Sequence, residues 1–272
     1  MLKNRIITAA ILIPIVIAFI FLAETIWFSA LFAVFVAIGA WEWAGLCKAS
    51  DKMKTLYTIL IILILFGIYW LNNSYLYNNI VLGGSLYWLF AVVLVVAYQK
   101  QRNLLPRSPA QLMIIGLLLL IPMWSGLTIL KSYSENGAAL IMLLMLLIWG
   151  ADTAAYFAGK KWGKRKLANR VSPGKTWEGT VAGIASSVVI AGCYVIVSHK
   201  NLDDSLMFIG LSVLTVIGSV FGDLMESLVK REAGQKDSGN ILPGHGGVMD
   251  RIDSLTAASP IFVFGLTSLS LV

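Results

Sequence analysis

Residues 110–130 read AQLMIIGLLLLIPMWSGLTIL, 21 consecutive positions without a charged side chain. A helix of that length, rising 1.5 Å per residue, crosses the roughly 30 Å hydrocarbon layer of a bilayer. The composition extends this reading to the whole chain. Of its 272 residues, 58% are apolar and only 13% charged, well below the roughly 25% charged content of soluble domains. Working outward, similar runs occupy 6–23, 26–46, 55–71, 79–98, 138–158, 177–198, 206–229 and 252–271. The predicted fold class is therefore all-α: a polytopic integral membrane protein with about nine transmembrane helices. The third run is short, and the ninth opens on the polar Asp253, Ser254 and Thr256. The first follows Lys3 and Arg5 like a signal peptide. It is too long for a signal core and no small-residue cleavage site follows it, so an uncleaved helix is expected.

A net charge of +7 invites a nucleic-acid reading, but in a multispan chain basic residues report orientation. With the N-terminus cytoplasmic and the spans alternating, all of the 21 Lys and Arg except Lys131 and Lys200 fall on the cytoplasmic side. Nine spans, an inner N-terminus and an outer C-terminus satisfy this asymmetry, and no nucleic acid is implied. Cys47 and Cys193 are assigned to opposite halves of the membrane, too far apart for a disulfide.

The outer connections are short. Two inner ones are long: 159–176 with seven basic residues, and 230–251 with five glycines, a proline and a histidine. Chemistry is expected there. The chain accordingly divides into N-terminal scaffold helices, 1–130, and C-terminal catalytic helices and loops, 131–272. No internal repeat of the transporter type is visible.

An acid at the centre of a span costs about 2.5–3.5 kcal/mol even on lenient insertion scales and is functional by default. Glu42, Asp152, Glu178, Asp223, Glu226, Asp250 and Asp253 all fall at predicted cytoplasmic ends of spans. Asp223, Glu226 and Lys230 share a helical face, and Asp250 and Asp253 share another. Carboxylates from two helices beside lysines and arginines suit a divalent cation plus a polyphosphate. A salt-bridge network between helix ends is the competing reading. One histidine and no cysteine in the cluster favour magnesium over zinc. In PGHGG (243–247) the glycines leave backbone amides free to approach phosphate, and His245 is a phosphate donor, a group that assists proton transfer, or a positioning residue. The stretch 151–179, ADTAAYFAGKKWGKRKLANRVSPGKTWEG, puts Asp152 and Tyr156 on one face. It also sets Ser172 and Lys175 just before a helix N-terminus, a favourable anion site. The GxxxxGK[ST] pattern lacks its first glycine and no strand is expected before it, so a P-loop is rejected. For Lys160–Lys166 the reading is contact with anionic headgroups.

The segment 227–253, SLVKREAGQKDSGNILPGHGGVMDRID, resembles the signature of phosphatidate cytidylyltransferases, also called CDP-diglyceride synthases. The matching positions are Ser227, Lys230, Arg231, Lys236, Asp237, Pro243, His245, Gly246, Gly247, Asp250, Arg251 and Asp253. ADTAAYF, SPGKTWEG and the Trp41–Glu42–Trp43 triplet also resemble family elements, with Ala154 where a glycine is expected. The resemblance implies an Mg2+-dependent enzyme of phospholipid synthesis in a bacterial cytoplasmic (inner) membrane. It joins CTP to phosphatidic acid, giving CDP-diacylglycerol and pyrophosphate. Asp223 and Asp250, expected to face each other from different helices at similar depth, are assigned to the metal. Lys175, Lys230, Arg231, Lys236 and Arg251 then balance phosphate charge, with Ser172, Asp152, His245, Gly246 and Gly247 around the substrates. Asp237 and Asp253 are either ligands or orienting groups. A homodimer among membrane lipids is the assembly it suggests. The rivals are a cation or substrate transporter and a CTP-dependent lipid kinase; a CDP-alcohol phosphotransferase is disfavoured because its Asp-x-x-Asp-Gly motif is absent.

Overall fold

The computed structural model describes residues 13–133, 136–242, 244 and 246–271. Among these the chain is helical apart from one short hairpin. The helices are α1 Ile13–Leu22, α2 Thr25–Leu46, α3 Asp51–Leu71, α4 Ser74–Gln99, α5 Pro109–Ser132, α6 Gly137–Trp162, α7 Trp177–Val197, α8 Leu202–Ala233 and α9 Met249–Ser268. Helices α2 to α9 match the expected runs to within a few residues, because the punctuation is local; the start of the first run, residues 6–12, lies outside the described residues. Ser50, Asn73 and Asn201 each accept a hydrogen bond from the first turn of the helix that follows. Gly234, at φ +75°, ends α8 in the left-handed region where a side chain would be strained.

Seven helices, α2 to α8, are long and apolar enough to cross a membrane, which makes the chain an integral membrane protein. The third run, short as a sequence signal, is a 21-residue helix. It buries one stripe, Tyr57, Ile61, Leu65 and Ile68, and leaves side chains such as Leu63 and Phe66 exposed, as a peripheral helix in lipid should. α9 behaves oppositely. It is packed against α2, α4, α5 and α8 and buried over most of its length. Its polar groups are satisfied inside the protein: Ser259 Oγ donates to Met123 O at 2.8 Å and Thr256 O accepts from Trp88 Nε1 at 3.0 Å. A helix walled off from lipid needs no continuous apolar surface, which is why its sequence is the least hydrophobic of the set.

The two ends of the bundle differ. At one, Lys131 Nζ donates to Ile20 O at 2.5 Å and Lys200 Nζ to Leu271 O at 2.8 Å; these are the two basic residues expected apart from the rest. At the other, Glu232 accepts from Tyr98 Oη and Asn103 Nδ2, both at 2.7 Å, and Gln99 Oε1 accepts from Arg170 N at 3.3 Å.

At this second end α6 and α7 are joined by an antiparallel hairpin, β1 Lys166–Ala168 and β2 Ser172–Thr176. This corrects the expectation that no strand precedes Lys175. The strands are too short to show an alternating pattern. Tertiary bonds hold them: Trp177 N donates to Arg165 O at 3.0 Å, and the Glu178 carboxylate accepts from the Lys164 and Arg165 amides, with Lys164 N at 3.2 Å.

Candidate active site

α8 and α9 cross where Gly222 meets the backbone of Asp253 and Ser254. A Cβ at residue 222 would lie 2.6 Å from Asp253 O, so only glycine allows this approach. The contact brings the acidic end of α8 beside the acidic start of α9.

Two lysine–acid junctions organise the region. Lys175, in β2, reaches across to α8 and places Nζ 2.8 Å from Asp223 Oδ2. The other oxygen of Asp223 accepts from Ser227 Oγ, one turn on, at 3.1 Å. Lys230 is buried and its Nζ lies 2.6 Å from both Glu226 Oε2 and Asp250 Oδ1. Asp250 Oδ2 in turn accepts from Ser238 N at 3.0 Å, Ser238 Oγ at 3.0 Å and Gly247 N at 2.8 Å. The Lys230 ammonium, expected from sequence to balance phosphate charge, is enclosed here between two carboxylates. The Gly247 amide donates to Asp250 Oδ2. Gly246, at φ +84°, makes this turn possible and bonds through its carbonyl to Leu242 N at 3.0 Å.

Beside these junctions lies a cavity of about 550 Å³ between α1, α2, α6 and α9. Its walls are apolar, Phe32, Phe35, Met145 and Ile148 among them, and one side is polar, formed by Asp152, Asp250, Arg251 and Asp253. Asp152 lies within electrostatic reach of Lys175 and Asp223, and Asp253 within that of Asp223 and Glu226. Asp253 Oδ1 accepts from Ser254 N at 2.6 Å.

The remaining expected residues are more dispersed. Arg231 ties α8 to the hairpin through Val171 O at 3.1 Å and to the loop through Gln235 O at 3.2 Å. Lys236 and Asp237 are exposed on the loop after α8. Ser172 pairs with Ala168 at the start of β2. His245 lies outside the described residues. Among the described residues, no group of three or more His, Cys, Asp or Glu is gathered as a metal cluster.

Three contributors are not among the expected ligands and substrate contacts. Ser227 is named only as a signature position, Glu42 only as one of the seven acids at the cytoplasmic ends of spans and in the Trp41–Glu42–Trp43 family element, and Ser238 is not singled out. Ser227 and Ser238 bond to Asp223 and Asp250 as described, and Glu42 of α2 bonds to the loop before α9, accepting from Met249 N at 2.7 Å. Hydroxyl side chains carry no distinctive signal. Glu42 did, as the lone ionisable residue within the spans of the first half of the chain, but only packing reveals what it touches.

The chain is similar to known proteins over almost its whole length. The profile of the cytidylyltransferase family matches residues 3–269. A phosphatidate cytidylyltransferase of Pseudomonas aeruginosa is 43% identical over 264 residues, covering 96% of each chain. One of Haemophilus influenzae is 36% identical over 282 residues, covering 97% of this chain and 98% of that protein. One of Bacillus subtilis is 36% identical over 190 residues, covering 67% and 68%. With the match running almost from end to end and through both lysine–acid junctions, this chain belongs to the cytidylyltransferase family.

Proposed function

We propose that this chain is a phosphatidate cytidylyltransferase, acting at the cytoplasmic face of a bacterial inner membrane. A phosphate oxygen of phosphatidic acid attacks the α-phosphorus of CTP. The new P–O bond makes CDP-diacylglycerol, and the bond to the β-phosphate breaks to release pyrophosphate. The observation that carries this reading is the apolar cavity with a charged side formed by Asp152, Asp250, Arg251 and Asp253. Acyl chains suit its walls, and polyphosphate suits the cationic groups beside it. The basic residues concentrated at this end of the bundle support a cytoplasmic location.

Both reactants are anions, so rate enhancement comes chiefly from charge neutralisation and in-line placement. Lys175 is half-buried and sits at the edge of the charged region, where it serves the phosphates; Arg251, on the cavity wall, serves the lipid phosphate. Lys230 acts one step back, fixing the carboxylate of Asp250. The phosphatidate oxygen is already ionised near neutral pH, so no strong general base is needed, and His245 is a contact for phosphate.

The donor types are those that magnesium takes. Its usual protein ligands are one or two carboxylates, with water and substrate phosphates completing an octahedron. Asp223, Asp250 and the neighbouring Asp253 offer hard oxygens with no thiol nearby. Asp223 and Asp250 would hold the ion, and when bound it supplies positive charge to the triphosphate.

The test is incubation of purified protein with CTP labelled at the α-phosphorus, phosphatidic acid and magnesium. Label in the lipid fraction is expected. Label remaining water-soluble overturns the proposal; label entering the lipid in a parallel assay with CTP labelled at the γ-phosphorus would point to a lipid kinase.

A further inference from the structure

Helix α9 begins without a capping side chain at its N-cap: the residue there is Val248, which makes no side-chain hydrogen bond to the first turn. The opening amides of a helix have no intrahelical acceptor and their positive end favours an anion. Here the acceptor comes from another helix. Glu42 of α2, buried with 4% of its surface exposed, accepts from Val248 N at 3.1 Å and Met249 N at 2.7 Å. Ser238 Oγ lies 3.2 Å from Glu42 Oε2 and 3.0 Å from Asp250 Oδ2, so one hydroxyl sits between the two carboxylates. The loop is closed around Glu42 on both sides, since a Cβ on either Gly239 or Gly247 would collide with its carboxylate.

We infer that Glu42 is a positioning residue for turnover: a cap supplied in trans that sets where α9 starts and, through Ser238 and the first turn, where Asp250 stands. It touches no reacting atom. Asp250 is the second residue of α9, so any slip of the helix start moves it directly. Lys230 holds Asp250 from the α8 side at 2.6 Å, and Glu42 holds its helix from the α2 side. The carboxylate is thus clamped between two halves of the chain. The step from placement to turnover rests on the function proposed above; the clamp itself does not.

Glu42→Gln, in the full-length protein in lipid–detergent micelles, separates the two. The glutamine keeps size and one acceptor but turns an amide N–H towards the backbone donors. Hydrogen exchange of the peptide spanning 238–249 is expected to rise while that of α5 stays unchanged. With labelled CTP and phosphatidic acid, kcat is expected to fall about 10- to 100-fold, the usual effect of losing a supporting partner behind a catalytic group, with little change in KM for either substrate. Glu42→Asp, which keeps both oxygens, should recover part of the loss. If Glu42→Gln does not fold, Ser238→Ala removes only the shared hydroxyl and is read by the same two measurements. Wild-type kcat in the folded variant overturns the inference, as does lost activity with unchanged loop exchange. A wild-type protein that transfers no label defeats the proposed reaction alone; loop exchange in Glu42→Gln still decides whether Glu42 sets the start of α9.

Discussion

Lys230 Nζ lies 2.6 Å from Asp250 Oδ1, joining the end of α8 to the start of α9 inside the protein. The same ammonium contacts Glu226 at 2.6 Å, and both acids are almost wholly shielded from solvent. Removing the cation strands two carboxylates. Lys230→Met should therefore destabilise the fold by about 3–5 kcal/mol, the range for breaking a buried ion pair from one side. Adding Glu226→Met should restore part of that. Melting of the detergent-solubilised variants measures both, and a Lys230→Met melt equal to wild type would show that the junction carries no stability.

The Lys175–Asp223 pair is smaller and more accessible, with side chains 24% and 30% exposed. Asp223→Asn should bring cytidylyl transfer to background without changing the elution profile, and Asp250→Asn should do the same. Lys175→Gln should weaken transfer severely. Transfer by Lys175→Gln at the wild-type rate would separate the lysine from the reaction.

Gly222 is a steric requirement for the helix crossing. Gly222→Ala puts a methyl against Asp253 O, 2.6 Å from where Cβ must lie, and overpacking of this kind costs about 1–3 kcal/mol. Activity should fall further than stability, since Asp223 and Asp253 flank the contact. Matched melting curves and transfer rates test this; unaltered transfer would show that the crossing tolerates the shift.

Ile148 and Met145 line the apolar wall of the cavity. Ile148→Trp fills part of its volume and should raise KM for long-chain phosphatidic acid more than for a short-chain analogue, leaving KM for CTP unchanged. A change in the CTP constant alone would reassign the cavity to the nucleotide.

Orientation is testable with single cysteines in a background where Cys47 and Cys193, both free thiols, are replaced. A cysteine at exposed Ser132 should react with a membrane-impermeant reagent added to whole cells. One at exposed Lys164 should react only after the membrane is opened. The reverse pattern would invert the orientation and move the charged end of the bundle to the outside.

Much of the architecture was legible before any coordinates, because hydropathy and capping are local. Residues 110–130 and the runs around them marked helices to within a few residues, and turn-forming Asn, Ser and Gly marked their ends. The spacing of Asp223, Glu226 and Lys230 correctly put them on one helical face. Less legible were features set by contacts between distant segments. The β1–β2 hairpin is too short to show strand periodicity, and α9 looked marginal because its sequence is adapted to protein neighbours and not to lipid.

The sequence by itself determined that the chain spans a membrane, that its charge is concentrated at one end, and that its motifs are those of a cytidylyltransferase. The tertiary structure decided which acid meets which lysine. Asp223 and Asp250 are equivalent metal-ligand candidates in the sequence, yet one is held by Lys175 from the hairpin and the other by Lys230 from α8. It also decided that Glu42 reaches Met249, 207 positions away. The physical reason is one of range. Burial in lipid is a property of each segment and is written along it. The partner of a buried charge depends on how helices far apart in sequence pack, and no local pattern records that.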